Sequence, residues 1–165
     1  MIKRLEELLT EMQRELRLRT ELIPQTAWRK NLRNELPRKV WDKIRTDICA
    51  YQGQKCGICG AAGRLSCHEV WEYDDLNHIQ KLKRFIALCD LCHHIKHLGC
   101  ATILAEQGKL EMRKIEEHFM RVNSCDLETF KLHAIEVGVK NLERSKHKWR
   151  LELGKYKWQV KIKTV

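Results

Sequence analysis

Residues 89–97 read CDLCHHIKH, two cysteines and three histidines within nine positions. Upstream stands a second pair, Cys56-Gly-Ile-Cys59. A C-x-x-C turn can aim both sulfurs at one ion, so the two pairs together supply four thiolates for a tetrahedral metal at about 2.3 Å. Gly57 and Gly60 suit such a turn, because glycine takes positive φ without strain. Cys56, Cys59, Cys89 and Cys92 are therefore expected to hold a structural zinc; the competing reading is two redox or disulfide pairs. A closed site of this kind helps fold a small module, with binding energy on the order of 10 kcal/mol in zinc-finger peptides. Cys49, Cys67, Cys100 and Cys125 lack a partner at ligand spacing and read as small buried hydrophobes.

Sulfur satisfies that ion, so the histidines need a different explanation. His93 and His97 are four apart. On a helix starting near Cys89 they share one face, one turn apart, and form a two-nitrogen grip on a transition metal. Asp90 in the first turn of that helix suits its dipole. A third imidazole lies upstream, where RLSCHEVWEYDD (64–75) carries His68-Glu69 in a strand-like stretch. RFIALC (84–89) is a second strand-like run, expected to pair with the first across a long loop. The order is strand, loop, strand, helix, with the sulfurs clamping both ends.

The stretch 56–97 resembles the HNH endonucleases, the ββα-metal nucleases, in their form with four zinc-binding cysteines. CHHIKH matches the family's helical C-H-x-x-x-H element through Cys92, His93 and His97. The family's spacing then implies His68 as the first-strand ligand of a catalytic ion, Glu69 at the position of the general base and Arg84 at that of an orienting Asn. The chain departs from the pattern at two places: the base slot, usually His, holds glutamate, and the Asn slot holds arginine. The resemblance implies DNA as substrate and a catalytic Mg, Mn, Ni or Zn ion beside the structural zinc. Residues 23–45 look like the segment that precedes the cysteine knuckle in some bacterial HNH proteins.

Phosphodiester hydrolysis with one metal needs an ion to polarise a phosphate oxygen and a base to take a proton from water. It also needs a group that holds the phosphate, and Arg84 would do this. Glu69 could be the base if burial lifted its pKa, or a fourth ligand if the cation pulled it down. Strand alternation aims Glu69 away from His68 unless a bulge intervenes, and a salt-bridged structural role is the plain alternative. A register shift by one would make Cys67 the ligand and His68 the base. Asp74, Asp75 and His78 are candidate outer-shell groups or substitute bases, or else a solvated turn. Trp71 and Tyr73 read as core.

The chain of 165 residues carries a formal charge of +10. That balance points to nucleic acid as partner. No apolar run approaches the roughly 20 residues that span a bilayer. Eight cysteines without a recognisable signal peptide imply reduced thiols and a cytoplasmic setting. Residues 1–22 pattern as an amphipathic helix through Ile2, Leu5, Leu9, Met12 and Leu16, and could pair with a second copy. Residues 23–55 form a basic helical lead-in, with Trp28 and Trp41 as core anchors and Arg29, Lys30 and Arg33 as phosphate contacts. Residues 56–100 hold the metal module. Residues 101–165 should contain a helix over 101–122 broken near Gly108, a helix over 127–144 capped by Asp126, and a basic hairpin. Ile115, Phe119, Val122, Leu127, Phe130 and Val137 are its expected core. The hairpin would turn at Gly154-Lys155 and present Lys157 and Lys161 to phosphates, or simply keep a sheet edge wet. The expected fold is α+β: a zinc-clamped ββα-metal module flanked by helices and a C-terminal β-hairpin.

Overall fold

The computed structural model of the chain describes residues 16–28 and 32–159. The fold is α+β, with six α-helices and a three-stranded sheet among the described residues. The described residues fall into two compact units, one of residues 23–28, 32–89 and 141–159 and one of residues 16–22 and 90–140.

The first of these contains the sheet. Strand β1 (Ser66–Asp74) pairs antiparallel with β2 (Ile79–Leu88), and β3 (Arg150–Glu152) joins the other side of β2 in parallel. The long loop expected before residue 84 is a turn over residues 75–78, because β2 starts at Ile79. Lys81, Lys83 and Arg84 hide this early half of the strand from a hydrophobicity reading, yet the backbone pairing continues through them. Asp74 holds the turn: its Oδ1 accepts from the backbone of Leu76 at 3.1 Å and Asn77 at 3.0 Å. Those bonds hold its carboxyl below the usual aspartate range, the side chain of Asn77 contributing most.

Helices α1 (Leu32–Glu35) and α2 (Arg38–Tyr51) cover one face of the sheet. Val40, Trp41, Ile44 and Ile48 recur at helical spacing and pack on a core of Leu32, Leu36, Phe85 and Leu153. Trp41 meets Phe85 edge-on at 6.0 Å, so it anchors the lead-in as its position suggests. Trp28 does not: it is 60% exposed and its indole N–H is spent locally on the carbonyl of Ile23.

The expected C-terminal hairpin is absent from the described residues. The alternation over 149–153 is real, with Trp149 and Leu153 buried, but the chain then enters a 3₁₀ helix over Gly154–Gln159. Leu153 and Tyr156 both belong to the core, and three-residue spacing is what a 3₁₀ turn puts on one side. Lys161 lies outside the described residues.

The second unit is helical, with α3 (Asp90–Lys96), α4 (Leu98–Glu106), α5 (Met112–Asn123) and α6 beginning at Leu127 and running to Arg144. Gly108 at φ +67 makes the expected break, and Asp126 caps α6 by accepting from Thr129 N–H at 2.9 Å. Ile95, Ile115, Phe119 and Phe130 are buried as their spacing requires, whereas Leu127, expected inside, is partly exposed at the first turn of α6. Residues 16–22, assigned above to a helix, are irregular; residues 1–15 lie outside the description. The carboxamide of Asn123 clasps Leu18 through both its N–H and C=O, and the backbone N–H of Glu21 donates to Lys96 O. The unpaired backbone of an irregular segment is thereby satisfied. No described helix is long and apolar enough to cross a membrane.

His133 on α6 stacks on Phe119, and its Nε2 accepts from Thr20 N–H at 3.0 Å. Burial, with Arg19 and Lys96 nearby, depresses its pKa to about 4. The unfolded chain therefore binds this proton first, and its uptake opposes folding as pH falls from about 6.5 to about 4. We expect acidification from pH 7.5 to 5 to cost the wild type about 2 kcal/mol more than His133→Gln, which keeps an acceptor for Thr20. Urea titrations at the two pH values measure the difference.

Candidate metal centre

Cys56 and Cys59 sit on a knuckle of residues 56–60, closed by Gly60 N–H donating to Cys56 O at 2.9 Å. Gly60 takes φ +77, as a glycine turn requires. Gly57 is needed for another reason than the expected one. It does not take positive φ; its Cα presses on β2 and α2, where a Cβ would stand 2.8 Å from both Gln52 Nε2 and Ile86 Cγ1. Its N–H donates to Ala87 O at 2.9 Å. Gln52 reinforces the joint by taking Ala87 N–H on Oε1 and giving Nε2–H to Ala87 O. The knuckle is thus fastened to the end of β2, where Cys89 follows.

The Sγ atoms of Cys56, Cys59, Cys89 and Cys92 lie 3.6–3.9 Å from one another. A regular tetrahedron of about 2.3 Å zinc–sulfur bonds has edges of about 3.8 Å. None of the four forms a disulfide, whose sulfurs would stand at about 2.05 Å. The four residues could therefore hold a metal, and the donor set and spacing fit zinc. The other four cysteines divide. Cys49, Cys67 and Cys125 are half-buried, while Cys100 is exposed rather than the small core residue expected.

A second group assembles from His68, His93 and His97, one nitrogen of each within 4.8 Å of the others. His68 is 3% exposed on β1. His93 lies on α3, and His97 caps the start of α4, so the two sit where one helix hands over to the next. Their rings meet edge-on at 4.8 Å. His94 is not in the group.

Glu69 is on the other side of the sheet. A bulge exists, but its extra residue is Lys83 on β2, so β1 alternates without interruption and Glu69 stays on the face opposite His68. Its Oε1 accepts the N–H of Leu32 at 2.9 Å, and the Arg33 N–H adds a second bond, so the carboxylate caps α1. Burial outweighs these bonds and lifts its pKa to about 7. The expected base is thus poised near neutrality, yet it is spent on a helix and faces away from the imidazoles. The register-shift alternative fails for the same reason. Cys67 packs in the core on the α2 side, and burial pushes its thiol to about 12. Arg84 fares better: it pairs with Val70, two ladder positions from His68, and strand alternation places both on one face.

The acidic turn is occupied structurally. Asp75 holds Arg144 through two bonds of 2.6 and 2.8 Å, and His78 stacks on His147 at 4.1 Å. Trp71 packs on the core as expected, while Tyr73 meets Trp149 edge-on and lies under the Arg144 guanidinium. Among the nucleic-acid candidates, Arg33 and Lys157 are exposed, and Arg29 and Lys30 lie outside the described residues. Sequence reasoning missed a cleft of about 710 Å³ on the open edge of β2 beyond β3. Lys83, Arg84 and Lys155 line it together with Tyr51 and Tyr156. It also missed His118 on α5, whose Nε2 lies 3.1 Å from Cys92 Sγ. The available signal was position: His118 falls on the apolar stripe of Ile115, Phe119 and Val122, of which the first two are buried.

Comparison with protein-family models, with curated proteins and with solved structures found no match.

Gly57→Ala should destabilise the protein by about 1–3 kcal/mol through this overpacking, read as a lower urea midpoint, and should speed transfer of zinc to a chromogenic chelator. Gly138→Ala, on α6 where a Cβ meets nothing within 4 Å, should leave zinc transfer unchanged.

Proposed function

We propose that this chain is a metal-dependent endonuclease that hydrolyses phosphodiester bonds in DNA. The convergence of His68, His93 and His97 beside a four-sulfur cluster carries the reading. A divalent cation held by those imidazoles would polarise the scissile phosphate. Three nitrogen ligands leave coordination positions for phosphate oxygen and water. Arg84, on the His68 face, offers a guanidinium fork to the phosphate. The four-cysteine zinc contributes rigidity, because Cys92 is followed at once by His93. The net charge of +10 and the cations of the β2 cleft supply attraction to a polyanion.

Glu69 has no place in this mechanism. Its capping of α1 removes it from the metal face, so the proton of the attacking water goes to bulk solvent. The second reading, a non-catalytic zinc module that binds nucleic acid or protein, draws on the same observation: the base position has become structural. Metal content separates the two, since a second ion held per chain favours the enzyme and zinc alone favours the adaptor.

Plasmid cleavage with added Mg²⁺, Mn²⁺ or Ni²⁺ is the test. The His68→Ala, His97→Ala double variant should lose at least about 100-fold in rate. Glu69→Gln, whose amide oxygen still accepts from Leu32, should stay within about threefold of wild type. Equal cleavage by the double variant and the wild type rejects the reading.

A further inference from the structure

His118 is 3% exposed on α5 and is not among the ligand groups, yet both of its ring nitrogens are engaged. Nδ1 lies 2.7 Å from an Nη of Arg121, one turn along the same helix. A guanidinium has only donors, so Nδ1 must be the acceptor and must be unprotonated. The ring proton is then on Nε2, which lies 3.1 Å from the Sγ of Cys92. Cys92 is completely buried. It receives this N–H, and when deprotonated, the form in which cysteine binds metal, its sulfur is the stronger acceptor.

The arrangement has the parts of an outer shell. Four thiolates around one Zn²⁺ carry a net charge of −2, and a buried site disfavours that excess. An N–H aimed at one sulfur spreads its charge, opposes its protonation and fixes its direction. Arg121 brings a positive charge behind the imidazole and holds its tautomer. Phe119, beside His118 on the helix, packs on Phe130 at 5.0 Å and on His133, which pins the turn of α5 that carries the donor.

We propose that His118, oriented by Arg121, is a positioning residue for the four-cysteine site: its Nε2–H bond to the Cys92 thiolate sets how tightly that site holds zinc. The inference concerns the sulfur site alone and stands or falls independently of nuclease activity.

The test uses the full chain loaded with Zn²⁺ or Co²⁺. His118→Phe should weaken zinc affinity about 10–100-fold in chelator competition. It should also move the sulfur-to-cobalt charge-transfer band to lower energy, since a thiolate that loses its donor gives up electrons more readily. His118→Gln places an N–H near the same point and should restore both readouts most of the way. A merely structural histidine would not shift the band and would not be rescued by an amide. The second measurement needs no variant: long-range proton–nitrogen correlation on the wild-type zinc protein should show His118 as the Nε2–H tautomer with Nδ1 bare. A folded His118→Phe protein with wild-type zinc affinity and an unshifted band overturns the proposal. So does an Nδ1–H tautomer, or a wild-type chain that takes up no zinc.

Discussion

Four sulfurs gathered 3.6–3.9 Å from one another, near enough to share one ion, constrain the backbone that carries them. The knuckle bearing Cys56 and Cys59 is held at the end of β2 by Gly57 N–H and by the amide of Gln52, both meeting Ala87. Two residues later the chain releases Cys89, and α3 opens at Asp90 so that Cys92 falls in its first turn. A tight turn is thereby fastened to a strand end, and the helix start follows next in the chain. Small modules rarely bury enough apolar surface to fix such irregular backbone, and a metal bound by four thiolates would add stabilisation. His93 inherits its place from this clamp, being the next residue.

The sheet sorts chemistry by face. Along β1, Cys67, Glu69 and Trp71 alternate with His68 and Val70, and α1 and α2 cover the first set. Burial there marks three groups in different ways. It makes Trp71 core, keeps the Cys67 thiol protonated, and raises Glu69 toward neutrality while the helix N–H groups pull the other way. A carboxyl with a pKa near 7 looks like a general base, but perturbation by burial is not proximity to a substrate. Here the same carboxyl satisfies backbone donors that would otherwise be orphaned at the start of α1.

In the helical unit, buried polar groups join segments distant in sequence. Asn123 clasps Leu18, His133 takes the amide proton of Thr20, and Lys96 pairs with Glu21 at 2.6 Å. These bonds satisfy the irregular stretch that precedes Leu22, which has no ladder of its own. His118 follows the same logic with a sulfur as its partner. Each of these polar groups sits on an otherwise apolar face, where an unsatisfied donor or acceptor would be costly.

The grouping of the four cysteines, the class of fold, the break at Gly108 and the cap at Asp126 were legible in the residues, because those signals are local. A C-x-x-C pair encodes its own turn, a glycine its own φ, an aspartate its own cap. The first half of β2 was not legible, since Lys81, Lys83 and Arg84 satisfy no apolar pattern and their strand is made by the ladder with β1. The tail was misread because alternation shows a strand without showing its partner, and β3 found β2 in parallel. Spacing could nominate His68 and Glu69 together but could not say which would face the imidazoles. That depended on where the bulge fell and on α1 lying within reach of Glu69, both products of contacts between residues far apart in the chain. The same holds for His118, twenty-six residues from Cys92 and joined to it by the packing of α5 on α3. Short-range geometry is written in residue types; the meeting of remote side chains exists only once the backbone has closed.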